Sequence, residues 1–134
     1  VNMTVRVKFD DRFPEVTAAV AKDATHQLRQ AGALIRRTAQ KTIRRSKEKP
    51  SPKGTPPRTR RGQLRRAILF QVERESVYVG PAANLFSDVG KAHEFGGEYE
   101  ERTYPARPFM APAFEAAWPQ ILGNWGSTLT GDRK

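Results

Sequence analysis

"PEVTAAVAKDATHQLRQAGALIRRTAQKTIRRS", residues 14 to 46, places Val16, Val20, Ala24, Leu28, Ala31, Ile35 and Ala39 at spacings of three or four. Residues three and four apart share one side of an α-helix, so these seven form a single apolar face. Pro14 suits the first turn, where its missing N–H is not needed. A helix over residues 14 to 46 spans roughly 50 Å at 1.5 Å per residue. A compact core built from 134 residues does not cover that length, so the last turns, which are cationic, are expected to project.

The cationic character continues past the helix. From Arg36 to Arg66 the chain carries thirteen basic residues (Arg36, Arg37, Lys41, Arg44, Arg45, Lys47, Lys49, Lys53, Arg58, Arg60, Arg61, Arg65 and Arg66) against Glu48 alone. That segment has a net charge of +12 within a total of +10, leaving −2 for everything else. A strip of this kind attracts phosphate, acidic protein surfaces or anionic lipid, and it repels copies of itself.

The other segments are short. "MTVRVKFD" alternates Met3, Val5, Val7 and Phe9 with polar residues, the period of a half-buried strand. "KEKPSPKGTPPRTRRG" is rich in proline and charge and has no apolar period, which predicts a flexible basic loop or arm over residues 47–62. "TRRGQLRRAI" predicts a short helix capped by Thr59. "AILFQVERESVYVG" predicts a hairpin, with Leu69 to Val72 and Val77 to Val79 as its strands. A short helix follows in "ANLFSDVGKAHEFGG", with Leu85, Val89 and Phe95 facing inward and Gly96 and Gly97 as its stop. "EYEERTY" is an acidic loop or short strand.

Three prolines then stiffen "YPARPFMAPAFEAAW", residues 104 to 118. A residue before proline is pushed out of the helical region, so Tyr104 and Arg107 should be extended, and Pro108 and Pro112 can begin a helix at little cost. Phe109, Ala113, Phe114, Ala117, Ile121, Leu122 and Trp125 continue at helical spacing, with a kink or break expected at Pro119. Phe109 and Phe114 should be buried against the sheet and the long helix. Trp118 and Trp125 are candidates for a subunit interface, and a Glu94–Arg107 ion pair would join the two segments. The expected fold class is therefore α+β: a long N-terminal amphipathic helix packed on a small antiparallel sheet, with an extended basic loop and a C-terminal helix. Residues 1–134 form a single domain, with a disordered tail over 127–134.

Reactive chemistry is scarce. There is no cysteine, and His26 and His93 are the two histidines, which excludes disulfides and argues against zinc or haem. "HEFGG" starts like a zinc-protease helix but has no second histidine four residues after His93. The glycines form neither a Walker loop nor a dinucleotide fingerprint, and no serine lies in a nucleophile elbow. Glu98, Glu100 and Glu101 stand in a polar run with nothing beside them to raise a carboxyl pKa. No cofactor is expected. No run approaches the roughly 18 apolar residues of a membrane span, and "VNMTVRVKFDDRF" lacks the apolar block of a signal peptide. The expectation is a protein that engages no membrane.

In order, a long amphipathic helix, "SPKGTPPRTRRGQLRRAI", "HEFGG" and "ARPFMAPAFEAAW" resemble the tail-component family of long-tailed bacteriophages, from about Val16 to Trp118. The most specific positions are Glu94, Phe95 and Gly96, then Arg107, Pro108, Phe109, Pro112 and Ala113. The family's "T-G-x-L-R" element is matched by Arg61, Gly62, Gln63, Leu64 and Arg65 with the threonine replaced, and Gly97 stands where the family commonly has threonine. The resemblance implies a non-enzymatic virion protein of the neck or upper tail, acting in tail completion and head–tail joining and assembled in the cytoplasm of the host bacterium. It implies a homo-oligomeric ring, most often a hexamer, around the DNA channel, with neck, tail-terminator or tail-tube proteins as neighbours.

A ring requires heterologous contacts. Arg58, Arg60, Arg61, Arg65 and Arg66 are candidates to meet Glu98, Glu100 and Glu101 of an adjacent subunit, leaving Lys41, Arg44, Arg45, Lys47, Lys49 and Lys53 to face DNA. An arm that orders only on assembly would keep subunits from joining early. The alternative function is sequence-independent nucleic-acid binding. Few aromatic residues interleave with the strip, so any DNA contact would be with the backbone rather than by base stacking. A small enzyme is a distant third reading.

Overall fold

The computed structural model describes residues 3–6, 14–47, 49–74 and 76–130. The order is β1 (Met3–Arg6), α1 (Pro14–Thr42), α2 (Gln63–Ala67), β2 (Ile68–Glu73), β3 (Ser76–Pro81), α3 (Ala83–Phe95), β4 (Gly97–Tyr99), β5 (Arg102–Tyr104) and α4 (Met110–Thr130). The class is α+β, with one three-stranded antiparallel sheet ordered β1-β3-β2 and a separate β4-β5 ribbon. The continuation of the first strand through Val7 and Phe9, the side chains of Val16, Val20 and Leu85, and residues 131–134 lie outside the described residues.

The stripe on α1 makes the core. Ala24, Leu28, Ala31, Ile35 and Ala39 are all buried, and α1 packs on α4 as well as on β2 and β3. Gly32 allows the sheet side of that contact. A β-carbon there would lie 2.6 Å from Phe70 and 2.8 Å from Val77, far inside van der Waals contact. The sheet contributes Ile68, Val77 and Val79, while Phe109, just before α4, and Met110, Ala113, Ala117 and Ile121 on that helix supply the rest of the facing side. At about 1.5–3 kcal/mol for each large side chain taken out of water, this cluster dominates the favourable side of folding.

Helix α1 stops at Thr42, four residues short of the expected end, and does not project as a bare cationic rod. Ile43 is fully buried, which draws the chain down onto the core. Residues 44–46 then run parallel to Thr59: Ser46 N–H donates to Thr59 O at 3.0 Å and Thr59 N–H to Arg44 O at 3.0 Å. Segment 47–62, expected to be a flexible loop, follows a bonded path. Gly54 N–H donates to Ala106 O at 2.9 Å, and Ser51 and Pro57 are buried. The segment is a strap lying over the end of α1.

Other expectations are corrected locally. Thr59 does not cap α2. Its hydroxyl accepts from Gly62 N–H at 3.1 Å, and Gly62, in the left-handed region at φ 74°, precedes the helix without a side-chain cap. Phe95, expected to face inward, is 73% exposed. It is the last residue of α3, and the inward places on that turn belong to Ala92 and Glu94. Leu122 is also exposed, because the Ala113–Ala117–Ile121 row faces the core and Leu122 lies about 100° around the helix from Ile121. Phe114 is only partly buried, stacked on exposed Trp118 with ring centres 5.2 Å apart, whereas Trp125 packs against the core. Helix α4 continues through Pro119, which sits on its exposed side, and residues 127–130, expected in a disordered tail, belong to it.

Candidate functional site

Glu94, Gly96, Arg107 and Phe109 meet at one junction. Glu94, at the end of α3, is 6% exposed, and its carboxylate accepts three backbone hydrogen bonds. Phe109 N–H at 2.9 Å and Met110 N–H at 3.0 Å donate to Oε2, and Ala111 N–H at 3.0 Å donates to Oε1. A helix leaves its first four N–H groups without partners. For α4 these belong to Phe109, Met110, Ala111 and Pro112, and the last has no N–H to satisfy. One carboxylate therefore completes the helix start, with its negative charge at the positive end of the macrodipole.

The hydrogen bonds of Glu94 go to backbone N–H groups rather than to Arg107. Arg107 directs its hydrogen bonds to and from backbone: Nε donates to Ser51 O at 2.8 Å, and its main-chain N–H donates to His93 O. Gly96 closes the junction at φ 71°, where a β-carbon would stand 3.0 Å from Ala106 N and 3.1 Å from Tyr104 O. The left-handed backbone and the close approach both require glycine. Proline stiffening of "YPARPFM" holds the chain in the extended path that Glu94 and Gly96 receive.

Beside the junction, His93, Val89, Ala92, Tyr99 and Tyr104 surround a small cavity of about 100 Å³. His93 Nδ1 is buried, without a hydrogen-bond partner among the described residues. Burial, and secondarily the charge of Arg107, hold the imidazole pKa below its ordinary 6.5. Tyr99 is shifted the other way, its phenol pushed up first by a hydrogen bond to Glu100.

The basic candidates present a different surface. Lys41, Arg44, Arg45, Lys47, Lys49, Lys53, Arg58, Arg60, Arg61, Arg65 and Arg66 are all exposed. The fold brings three of them together: Lys41, in the last turn of α1, Arg44, just beyond that helix, and Arg58, from the strap, line a cleft of about 460 Å³ with Thr42, Ser51 and Thr55. Arg45 and Arg58 help to hold the strap, donating to Arg60 O at 3.3 Å and Lys49 O at 3.2 Å. Arg60, Arg61, Arg65 and Arg66 do not line the cleft. Ser51 belongs to the site but has no sequence motif to mark it.

The acidic candidates lie on the β4-β5 ribbon. Glu98 is on β4, and Glu100 and Glu101, at φ 48° and 61°, form its tight turn. All three are exposed, and Glu98 and Glu100 share a shallow depression with Asp88 and the outward-facing Phe95. Among the described residues, no group of three or more His, Cys, Asp or Glu is placed to hold a metal, and no helix is long and apolar enough to cross a membrane. No family model matches the chain, and no curated protein or solved structure matches it either.

Proposed function

We propose that this chain is a non-enzymatic structural subunit of a bacteriophage neck or upper tail, assembling head to tail into a ring during tail completion and head–tail joining. One observation carries the reading: a single subunit exposes a cationic strap and helix end on one set of elements and an acidic ribbon beside an exposed phenylalanine on another. Surfaces of opposite sign at different places suit heterologous contact, which closes into rings, and opposite potentials steer such contacts. Phe95 supplies the apolar anchor that a charged rim alone lacks. The most specific motif residues act in the fold: Glu94 is committed to three N–H groups, so it is not available as a general base. The finer architecture belongs to the same reading, with the amphipathic N-terminal helix and its sheet as the platform that presents the basic strap.

Native mass spectrometry tests the proposal. The parent should form a defined oligomer at low salt, most simply a hexamer, that dissociates as salt is raised. Combined reversal of Arg60, Arg61 and Arg65 to glutamate should yield a folded monomer.

The exposed cations between Arg37 and Arg66 favour sequence-independent nucleic-acid binding as the second reading. In that case the parent binds duplex DNA as a monomer, with log affinity falling steeply against log salt as counterions are released. Tight binding without assembly would select it over the first.

A further inference from the structure

We propose that the cleft between the last turn of α1 and the strap is a specific site for one phosphate group. This deepens the proposed channel role of residues 41–53 and rests on it for the nucleic-acid source of that phosphate. Lys41, Arg44 and Arg58 supply positive charge from two chain segments, and no carboxylate is among the described residues lining the cleft. Charge from two elements converging on one concavity is more selective than the same charge spread along a surface.

The hydroxyl groups distinguish a built site from a solvated face. Three hydroxyl-bearing residues, Thr42, Ser51 and Thr55, are among those that line the cleft. Thr42 donates to Ala39 O at 2.8 Å and Thr55 to Pro52 O at 2.7 Å, so neither has a proton left for a ligand. Ser51 does. Its residue is 5% exposed, and its Oγ is buried without a hydrogen-bond partner among the described residues. A buried hydroxyl without a partner is costly, and a rotation about its χ1 that brings it to a phosphate oxygen in the cleft relieves that cost. The position is also fixed in advance, because Ser51 O is held by Arg107 Nε at 2.8 Å and Gly54 N–H is tied to Ala106 O at 2.9 Å.

One effect opposes an anion here. The C-terminal end of a helix carries negative partial charge, and the cleft adjoins the end of α1. That field is partly quenched, since Ala39 O accepts from both Thr42 Oγ1 and Ile43 N–H, and Arg44 O accepts from Thr59 N–H. Three full charges exceed the remaining fraction of one. A phosphate has several acceptor oxygens for guanidinium, ammonium and hydroxyl donors together. A phosphodiester of a nucleic-acid backbone and free phosphate share this chemistry.

The test titrates orthophosphate, and separately a short DNA duplex, into the full chain at a concentration where it is monomeric, with binding read by calorimetry and by amide NMR shifts at Ser51 and Thr55. Saturable orthophosphate binding is expected. Ser51→Ala and Arg58→Gln should each weaken it about tenfold, the loss of one charge-assisted hydrogen bond, while Arg61→Gln, outside the cleft, should leave it unchanged. If the same two variants also weaken duplex binding, the nucleic-acid backbone is the source; if only orthophosphate binding falls, free phosphate is. Absence of saturable orthophosphate binding, or parent-like binding by both variants, would overturn the site. Arg58 is exposed, so its variant serves even if Ser51→Ala is misfolded. The combined Arg60, Arg61 and Arg65 reversal reports on assembly, so loss of the ring with orthophosphate binding retained separates failure of the ring contact from failure of the cleft.

Discussion

The junction around Glu94 and the strap over the end of α1 lie side by side, joined through Ser51, Gly54, Ala106 and Arg107, yet they are built on opposite terms. At the junction a carboxylate meets three N–H groups, and the fourth donor is missing because Pro112 has none. On the strap most charges point into water and a buried hydroxyl has no partner among the described residues. A helix start satisfied in full marks a region whose work is the fold, even with His93 Nδ1 left unpartnered among the described residues beside it. Unused donors beside converging cations mark a region with capacity left for something outside it.

The sharpest way to break that contrast is to truncate the core beneath the junction. Phe109 is fully buried, so Phe109→Ala should cost about 3–5 kcal/mol in denaturant unfolding. Phe114→Ala should cost visibly less, because that ring is only partly buried and rests on exposed Trp118. Equal costs for the two would show that the core boundary has been drawn in the wrong place.

Glu94→Gln comes next. It keeps the shape but removes the charge and turns one acceptor into a donor facing an N–H group, for an expected loss of about 1–3 kcal/mol. A parent-like urea midpoint would mean that water caps α4 equally well.

A gentler effect concerns His93. Its folded pKa lies below the ordinary 6.5, so as pH falls through about 6.5 the unfolded chain binds the proton first. The contribution is present above that value and is lost as pH falls through the depressed folded value. Unfolding midpoints should decline across this window, and His93→Gln should flatten that part of the decline.

Smallest of all is the strap itself. Reversal of Arg60, Arg61 and Arg65 should change stability by no more than about 0.5 kcal/mol per site, as for surface charges away from the core. A large loss in thermal unfolding would place those side chains among the fold's supports and erase the contrast.

Much of the architecture was legible because it follows from periodicity. Leu28, Ala31, Ile35 and Ala39 on one helix, Val77 and Val79 in the hairpin, and Ala113, Ala117 and Ile121 on the last helix are all marked by spacing alone. Phe95 and Leu122 were misplaced because hydrophobicity identifies what can be buried, whereas the angle of a helix against its neighbours decides what is. Glu94 was recognisable as important but not as a helix cap, since its partners lie 15 to 17 residues downstream and accept no side-chain signature. Ser51 was illegible: one hydroxyl in a proline-rich run carries no pattern until tertiary contacts bury it.

The bonds of the junction and those that hold the strap also differ in the length of chain they close. Glu94 reaches Phe109 across 15 residues, while Arg107 reaches Ser51 across 56. Loop closure costs more entropy as the loop lengthens, and contacts distant in sequence are slow to form. The junction can therefore assemble early from a short stretch of nascent chain, with docking of the strap as a later step. In amide hydrogen exchange, Gly54 should open well before Met110, giving the protein a part that can let go while the rest stays folded.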